Sequence, residues 1–204
     1  MRYFLCILAF LMIAPAFAQD QGLYDPVPPP GSAFVRFINT APETRGVFAN
    51  GKKFADAPAF SITPYYVMKE GATKLMSGSV DVDHTVKAGK FYTVLTGEYP
   101  KVVEDKPADD PSKAQLIFYN LFGTESLSVK TADGKTDIIK SVSRGNSGER
   151  TMNAVKVKMA VFKGDEKIMD VGEVTLQRKA SYALIMMDGI SKLMWTRATT
   201  DTEK

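Results

Sequence analysis

Cysteine is almost missing from this 204-residue chain: Cys6 is the only one, and it lies inside the apolar stretch 4–14 near the N-terminus. A single thiol closes no disulfide within the chain, and Cys6 does not adjoin a cleavage point where a lipoprotein anchor would form, so stability has to come from packing. Histidine and tryptophan are as scarce, with His84 and Trp195 alone. One histidine leaves any metal site to be completed by carboxylates. After residue 14 no apolar run approaches the roughly 20 residues that span a bilayer, so no transmembrane segment is expected in the mature chain. An excess of one charge is missing too. The 26 basic and 23 acidic residues leave net +3, too little for a nucleic-acid binder that relies on counterion release.

What is present is the composition of a folded domain, 45% hydrophobic and 24% charged. Arg2, the apolar run 4–14 and the small residues of Ala16-Phe17-Ala18 follow the pattern of a cleaved signal peptide over residues 1–18, which sends the mature chain to the periplasm. Residues 19–31 form a Pro-rich lead, since Pro26, Pro28, Pro29 and Pro30 cannot pair in a central strand. A second break, 98–113, gathers three prolines and five carboxylates and reads as a linker, taken as 99–113. It separates an N-terminal domain, 32–98, from a C-terminal domain, 114–204.

The two domains resemble each other. Ala33-Phe-Val-Arg-Phe-Ile-Asn39 aligns with Ala114-Gln-Leu-Ile-Phe-Tyr-Asn120, sharing Ala, Phe and Asn at equal spacing. The stretch from Val86 to Gly97 parallels that from Leu176 to Gly189, with Tyr92 opposite Tyr182. Both halves read as β. Val155 to Val161 alternates apolar and polar residues, and Asn50-Gly51, Asp133-Gly134 and Asp188-Gly189 are hairpin dipeptides. With no amphipathic helix in evidence, two tandem antiparallel β-sandwiches joined by the acidic, Pro-containing linker are expected. The stretch from Pro64 to Met76 fits this scheme least well.

Chemistry is sparse. Asp81, Asp83 and His84 sit together, but in a strand the two aspartates share one face and His84 takes the other, so no metal site converges. Asp81 and His84 also spell the Asp-x-x-His of serine esterases and acetyltransferases, yet the Gly-Asp-Ser-like nucleophile turn that such enzymes carry upstream is missing. The eight methionines beyond residue 18 read as core filler, and no cofactor is called for. Tyr24, Phe48, Tyr65, Tyr66 and Tyr99 lie near turns or the lead, where exposed rings would stack on sugars. Charge is uneven, net −2 over 19–112 and net +4 over 113–204, which makes the second domain the better candidate for an acidic partner. Candidate partner- or glycan-binding residues are Arg36, on the polar side of the first strand, Lys130, Asp133, Lys135 and Asp137 around the Asp-Gly hairpin, and Lys156 and Lys158 on the alternating strand.

Leu23-Tyr24-Asp25-Pro26, the Pro-rich lead and Gly31-Ser32-Ala33-Phe34-Val35-Arg36 resemble the AlgF family of periplasmic alginate O-acetylation proteins. So do Val129-Lys130-Thr131-Ala132-Asp133-Gly134-Lys135-Thr136-Asp137 and Gly148-Glu149-Arg150. The resemblance runs from about Leu23 to Trp195 and implies a non-catalytic adaptor in the acetylation of alginate, with acetyltransferase subunits as partners. It carries over no catalytic residue. A carbohydrate-binding module that holds alginate is the alternative, and an acetyltransferase or esterase using Asp81 and His84 a second one.

Overall fold

The structure is a computed structural model that describes residues 28–96, 100–107, 110–189, 193–198 and 200–201. The expected signal peptide, most of the Pro-rich lead, Tyr24 and Tyr99 lie outside the described residues. Among the described residues every regular element is a strand, and no helix is long and apolar enough to cross a membrane.

The chain forms two tandem β-sandwiches. In the first, one sheet contains β1 (Ser32–Asn39), β4 (Ser61–Ile62), β5 (Tyr65–Lys69), β8 (Phe91–Thr96) and β9 (Lys101–Asp105), with β5, β1, β8 and β9 side by side. Its mate runs β3 (Lys52–Ala57), β2 (Arg45–Ala49), β6 (Gly71–Ser77) and β7 (Val80–Val86). The second sandwich repeats the plan. One sheet runs β13 (Asn146–Asn153), β10 (Lys113–Leu121), β16 (Ser181–Met187) and β17 (Leu193–Arg197); the other runs β12 (Asp137–Val142), β11 (Leu127–Thr131), β14 (Lys156–Lys163) and β15 (Glu166–Thr175). A last short strand, β18 (Thr200–Asp201), returns to the first sandwich and lies parallel to β5.

Pairing is antiparallel throughout each repeat except at one place: β1 runs parallel to β8, and β10 parallel to β16. The aligned motifs fall on these strands. Ala33, Val35 and Phe37 face the first core, and Ala114, Leu116 and Phe118 face the second. Asn39 and Asn120 close the equivalent strands. The Asn39 amide reaches the carbonyls of Glu43, Ala57 and Pro58, and that of Asn120 reaches Glu125 and Val142. Tyr92 accepts a hydrogen bond from the backbone N–H of Lys87 at 3.2 Å, and Tyr182 from that of Gln177 at 3.1 Å, five residues back in both cases. Such a tyrosine ties the approach to its own strand, as at the tyrosine corner of other sandwiches.

Two expectations are corrected. The stretch 99–113 is not linker throughout, because residues 101–105 form β9, which pairs with β8, and Asp105 is buried. Its carboxylates conceal an alternation in which Val102 faces the first core and Val103 the second sandwich. Tyr65 and Tyr66 do not stand exposed at a turn. They open β5 and are 4% exposed, Tyr66 in the first core beside Phe54.

The two sandwiches share a third core. Ile38 and Leu95 of the first meet Ile117, Tyr119, Ala183, Ile185 and Met187 of the second, with Phe60, Ile62 and Val103 around them. The result is four sheets in layers, in which β1, β8, β10 and β16 are covered on both faces. This accounts for their near-continuous apolar sequences, since a strand with no solvent face has no reason to alternate. Each fully buried Ile, Leu or Met contributes about 1.5–3 kcal/mol, so the junction matches a small core in strength. Gly189 belongs to it: a Cβ there would come within 2.4 Å of the Phe60 ring, so a larger residue would push the sandwiches apart.

Candidate functional site

Arg36 lies at the centre of that junction, and its place overturns the reading of an exposed contact. It is 1% exposed, because the side of β1 away from the first core faces the second sandwich and not water. Its Nε donates to the Thr93 hydroxyl at 2.8 Å, and one terminal nitrogen donates to the Tyr119 hydroxyl at 2.9 Å and lies 3.5 Å from the Asp105 carboxylate. The guanidinium stacks over the Tyr65 ring, 4.3 Å from its centroid. Asp105 in turn accepts hydrogen bonds from Tyr65, Thr93 and Tyr119, the first at 2.6 Å. Burial works against the Arg36 charge, but Tyr119, Tyr65 and Asp105 outweigh it and raise its pKa. Burial also raises the pKa of Tyr65 and Tyr119, since a phenolate there would lose its water. The cluster is a closed, charge-balanced lock, with Tyr119 as the second sandwich's contribution. No ligand or partner reaches Arg36 while the junction is closed.

The other sequence candidates lie in the outer sheet of the second sandwich. Lys156 and Lys158 are exposed on β14, as the alternation requires, and Lys156 pairs with Glu173 of β15 at 2.8 Å. Lys130 is mostly covered: it lies over the Phe162 ring and is held by Asp165 at 3.3 Å and Asp137 at 3.9 Å. Asp133 caps its own turn, accepting from the Thr131 hydroxyl and the Lys135 N–H, and these bonds lower its pKa. Lys135 and Asp137 are exposed at the same hairpin. The net +4 half therefore presents crossed ion pairs on this sheet, with much of its positive charge already answered. Gly148-Glu149-Arg150 closes the sandwich, since Arg150 of β13 donates to the carbonyls of Asp137 and Ile138 in β12, joining the two sheets.

Asp81 and His84 do not converge. Asp81 is exposed and pairs with Lys74 at 3.0 Å, whereas His84, on the opposite side of β7, sets its ring edge-on to Tyr92 with centroids 5.0 Å apart. Phe48 is half-buried on the outer side of β2, opposite Met76.

One concave site was not foreseen. Where β1, β8, β10 and β16 all end, a cleft of about 370 Å³ opens between the sandwiches. Ala41, Leu95 and Leu121 supply apolar lining, and Arg45, Arg144 and Asp188 supply charge. Arg45 is held by Glu43, which accepts from Nε at 2.9 Å and from a terminal nitrogen at 2.6 Å. Arg144 is held by Asp188 at 3.3 Å, and the other oxygen of Asp188 takes the Gly123 N–H. Arg45, at the start of β2, and Arg144, in the turn before β13, lie 99 positions apart in different repeats, and no local pattern joins them.

Comparison with known proteins gives one family. The family described as "Alginate O-acetyl transferase AlgF" matches residues 7–183. The alginate biosynthesis protein AlgF of Pseudomonas syringae pv. tomato is 32% identical over 196 residues, covering 94% of this chain and 88% of its own. That of Pseudomonas aeruginosa is 32% identical over 197 residues, covering 94% and 91%. Among solved structures, the C-terminal domain of AlgF from P. aeruginosa is 38% identical with a TM-score of 0.37, over 43% of this chain and 97% of that one.

Proposed function

The chain belongs to the AlgF family of alginate biosynthesis proteins, and from that premise we propose that it is a non-catalytic periplasmic adaptor that holds acetyltransferase subunits in place. Its membership makes it an accessory protein of alginate biosynthesis and O-acetylation. The observation that supports an adaptor is the third core. Two sandwiches fused through β1, β8, β10 and β16 and locked by Arg36 and Asp105 form one body, with the remaining sheets turned outward on either side. A body of this kind presents two surfaces at a fixed separation, and it gains binding strength by holding both partners without further ordering. The opposed directions of Asp81 and His84 support a role outside catalysis.

The test is capture by the tagged mature protein from periplasmic and membrane extract, with bound proteins identified by mass spectrometry. Acetyltransferase subunits are the expected catch. Turnover of an acetyl ester by the purified chain, abolished by His84→Ala, would sink the adaptor reading in favour of an enzyme.

A further inference from the structure

We infer that a second cavity, at the other end of the junction, binds a small carboxylic acid with an apolar body, held by Lys179 and Arg197 of the second sandwich against aromatic side chains of the first. The cavity measures about 220 Å³ and lies where β8 and β16 begin and β9 ends. It is independent of the adaptor role, since its chemistry comes from its own lining. Its wall is apolar and fixed, formed by Tyr65, Phe91 and Ile117. The Phe91 ring stacks on Phe34 with centroids 4.4 Å apart and meets Tyr65 edge-on at 5.1 Å, and Tyr65 also carries the Arg36 guanidinium. These rings are held by their neighbours before a ligand arrives, so little ordering is lost on binding. Asp105 borders the cavity too but brings no free charge: its oxygens accept from Tyr65, Thr93 and Tyr119, and Arg36 lies beside it.

The rim is cationic and largely unanswered. Lys106, Lys179 and Arg197 lie on it, and Ser181 adds a hydroxyl donor. Lys106 pairs with Glu149 at 3.3 Å. Arg197 donates to the neutral side-chain carbonyl of Gln177 at 2.8 Å, which orients the guanidinium without spending its charge. Among the described residues neither Arg197 nor Lys179 has a carboxylate partner. Lys179 is singled out by its backbone as well. Its φ of +59° lies in the left-handed region that favours glycine, so a lysine is held there at a cost in stability. Such strain points to a use for the side chain, and the cavity offers one: an unpaired ammonium at its mouth.

A ligand that satisfies both parts of the site has one anionic group for the rim and a hydrocarbon body for the wall. An apolar cavity of about 150 Å³ takes up benzene, so this one holds a ring or a branched chain with its carboxylate attached. Sugar acids fit badly, since their hydroxyls would face Phe91 and Ile117 without partners. The carboxylate has two sources, a free acid or the C-terminal residue of a peptide, and both meet the rim in the same way.

The test uses the full mature chain, isotope-labelled for NMR and titrated at low ionic strength with phenylacetate. Phenylacetamide, which keeps the ring and loses the charge, and gluconate, which keeps the charge and loses the ring, are the controls. Saturable amide shifts at Lys106, Lys179, Ser181 and Arg197 are expected with phenylacetate, and binding about tenfold weaker with either control. Arg197→Gln should weaken phenylacetate about tenfold, the size of a lost charge-assisted hydrogen bond. Lys179→Gly should weaken it by a similar factor and leave the urea midpoint at or above the wild-type value, because it removes the ammonium and relieves the backbone. A merely structural lysine would lower the midpoint and spare the affinity. The tripeptide glycyl-glycyl-phenylalanine and its C-terminal amide divide the sources. A tripeptide that binds more tightly than phenylacetate, with its amide inactive, assigns the site to peptide C-termini, and the opposite order assigns it to a free acid. Either control binding as tightly as phenylacetate, shifts confined to the Arg45 cleft, affinity undiminished in the Lys179→Gly, Arg197→Gln double variant, or no saturable binding of acid and tripeptide by the wild-type chain would each overturn the assignment.

Discussion

The two sandwiches share a strand plan and differ on the faces they turn toward each other. Toward their own cores the matched positions agree: Ala33 with Ala114, Val35 with Leu116, Phe37 with Phe118, Tyr92 with Tyr182. Toward the junction they diverge. The first sandwich presents Arg36 and Thr93 where the second presents Ile117 and Ala183, and the second places Tyr119 where the first has Ile38. The inner face is held to a few residue types by close packing around a repeated topology. The outer face was free to become polar on one side and apolar on the other, and only the pair together satisfies both. A charge-balanced cluster enclosed by apolar contacts also favours one docking angle, because a rotated junction would take from Arg36, Thr93 and Asp105 the hydrogen bonds of Tyr119.

The asymmetry can be broken most severely at Asp105. Asp105→Ala strands the Arg36 charge in the junction and should cost about 3–5 kcal/mol in urea unfolding. At Ile117, the counterpart of Arg36, Ile117→Val should cost only about 0.5–1.5 kcal/mol. Equal losses would mean that the cluster is no more than packing. The two asparagines probe the shared part. Asn39→Ala and Asn120→Ala each orphan buried carbonyls at about 1–3 kcal/mol per group, and the loss should be larger at Asn39, which reaches three carbonyls where Asn120 reaches two.

Alkaline pH should act on the junction before the cores. Tyr65 and Tyr119 have raised pKa values in the folded chain because of burial, against about 10 when unfolded. Their contribution is complete below pH 10. Above it the unfolded chain releases protons that the folded chain retains, so stability falls by about 1.4 kcal/mol per pH unit for each tyrosine. Denaturation midpoints should therefore drop steeply once the pH exceeds 10, and Tyr65→Phe combined with Tyr119→Phe should flatten that slope. A slope unchanged by the pair would place the alkaline sensitivity elsewhere. The smallest effect belongs to the outer sheet: Lys156→Ala, which removes an exposed pair with Glu173, should shift stability by no more than about 1 kcal/mol and not at all in high salt.

The repeat was legible in the sequence because its markers are core residues at fixed spacing, and a strand with one buried face carries a period of two. Lys156 and Lys158 face water for that reason. The same rule misplaced Arg36: alternation separates the two faces of a strand but does not say whether the second meets water or another sheet. Charge misled in a similar way over 99–113, where Asp105 is not solvated but serves as the acceptor at the centre of the junction. Tyr65 and Tyr66 were misread because the β5 segment has Pro64 before it, and proline alone does not tell a strand start from a loop. For the candidate site, Asp133-Gly134 and Arg150 were visible as motifs, though their contacts serve the sandwich. Arg45 and Arg144 gave no sign, since one is a single arginine at a strand start and the other a single arginine in a turn.

By itself the sequence determined the all-β class, the duplication, the strands that carry it and the family, because core spacing and turn dipeptides are local and survive in a linear reading. Tertiary structure alone decided that the two halves share a third core, that an arginine and an aspartate 69 positions apart lie within it, and that a strand start of one half meets a turn of the other across a cleft. Those features depend on which sheet faces are brought together, and the free energy that selects the pairing, buried apolar area with a satisfied ion pair inside it, exists only once both sandwiches have formed.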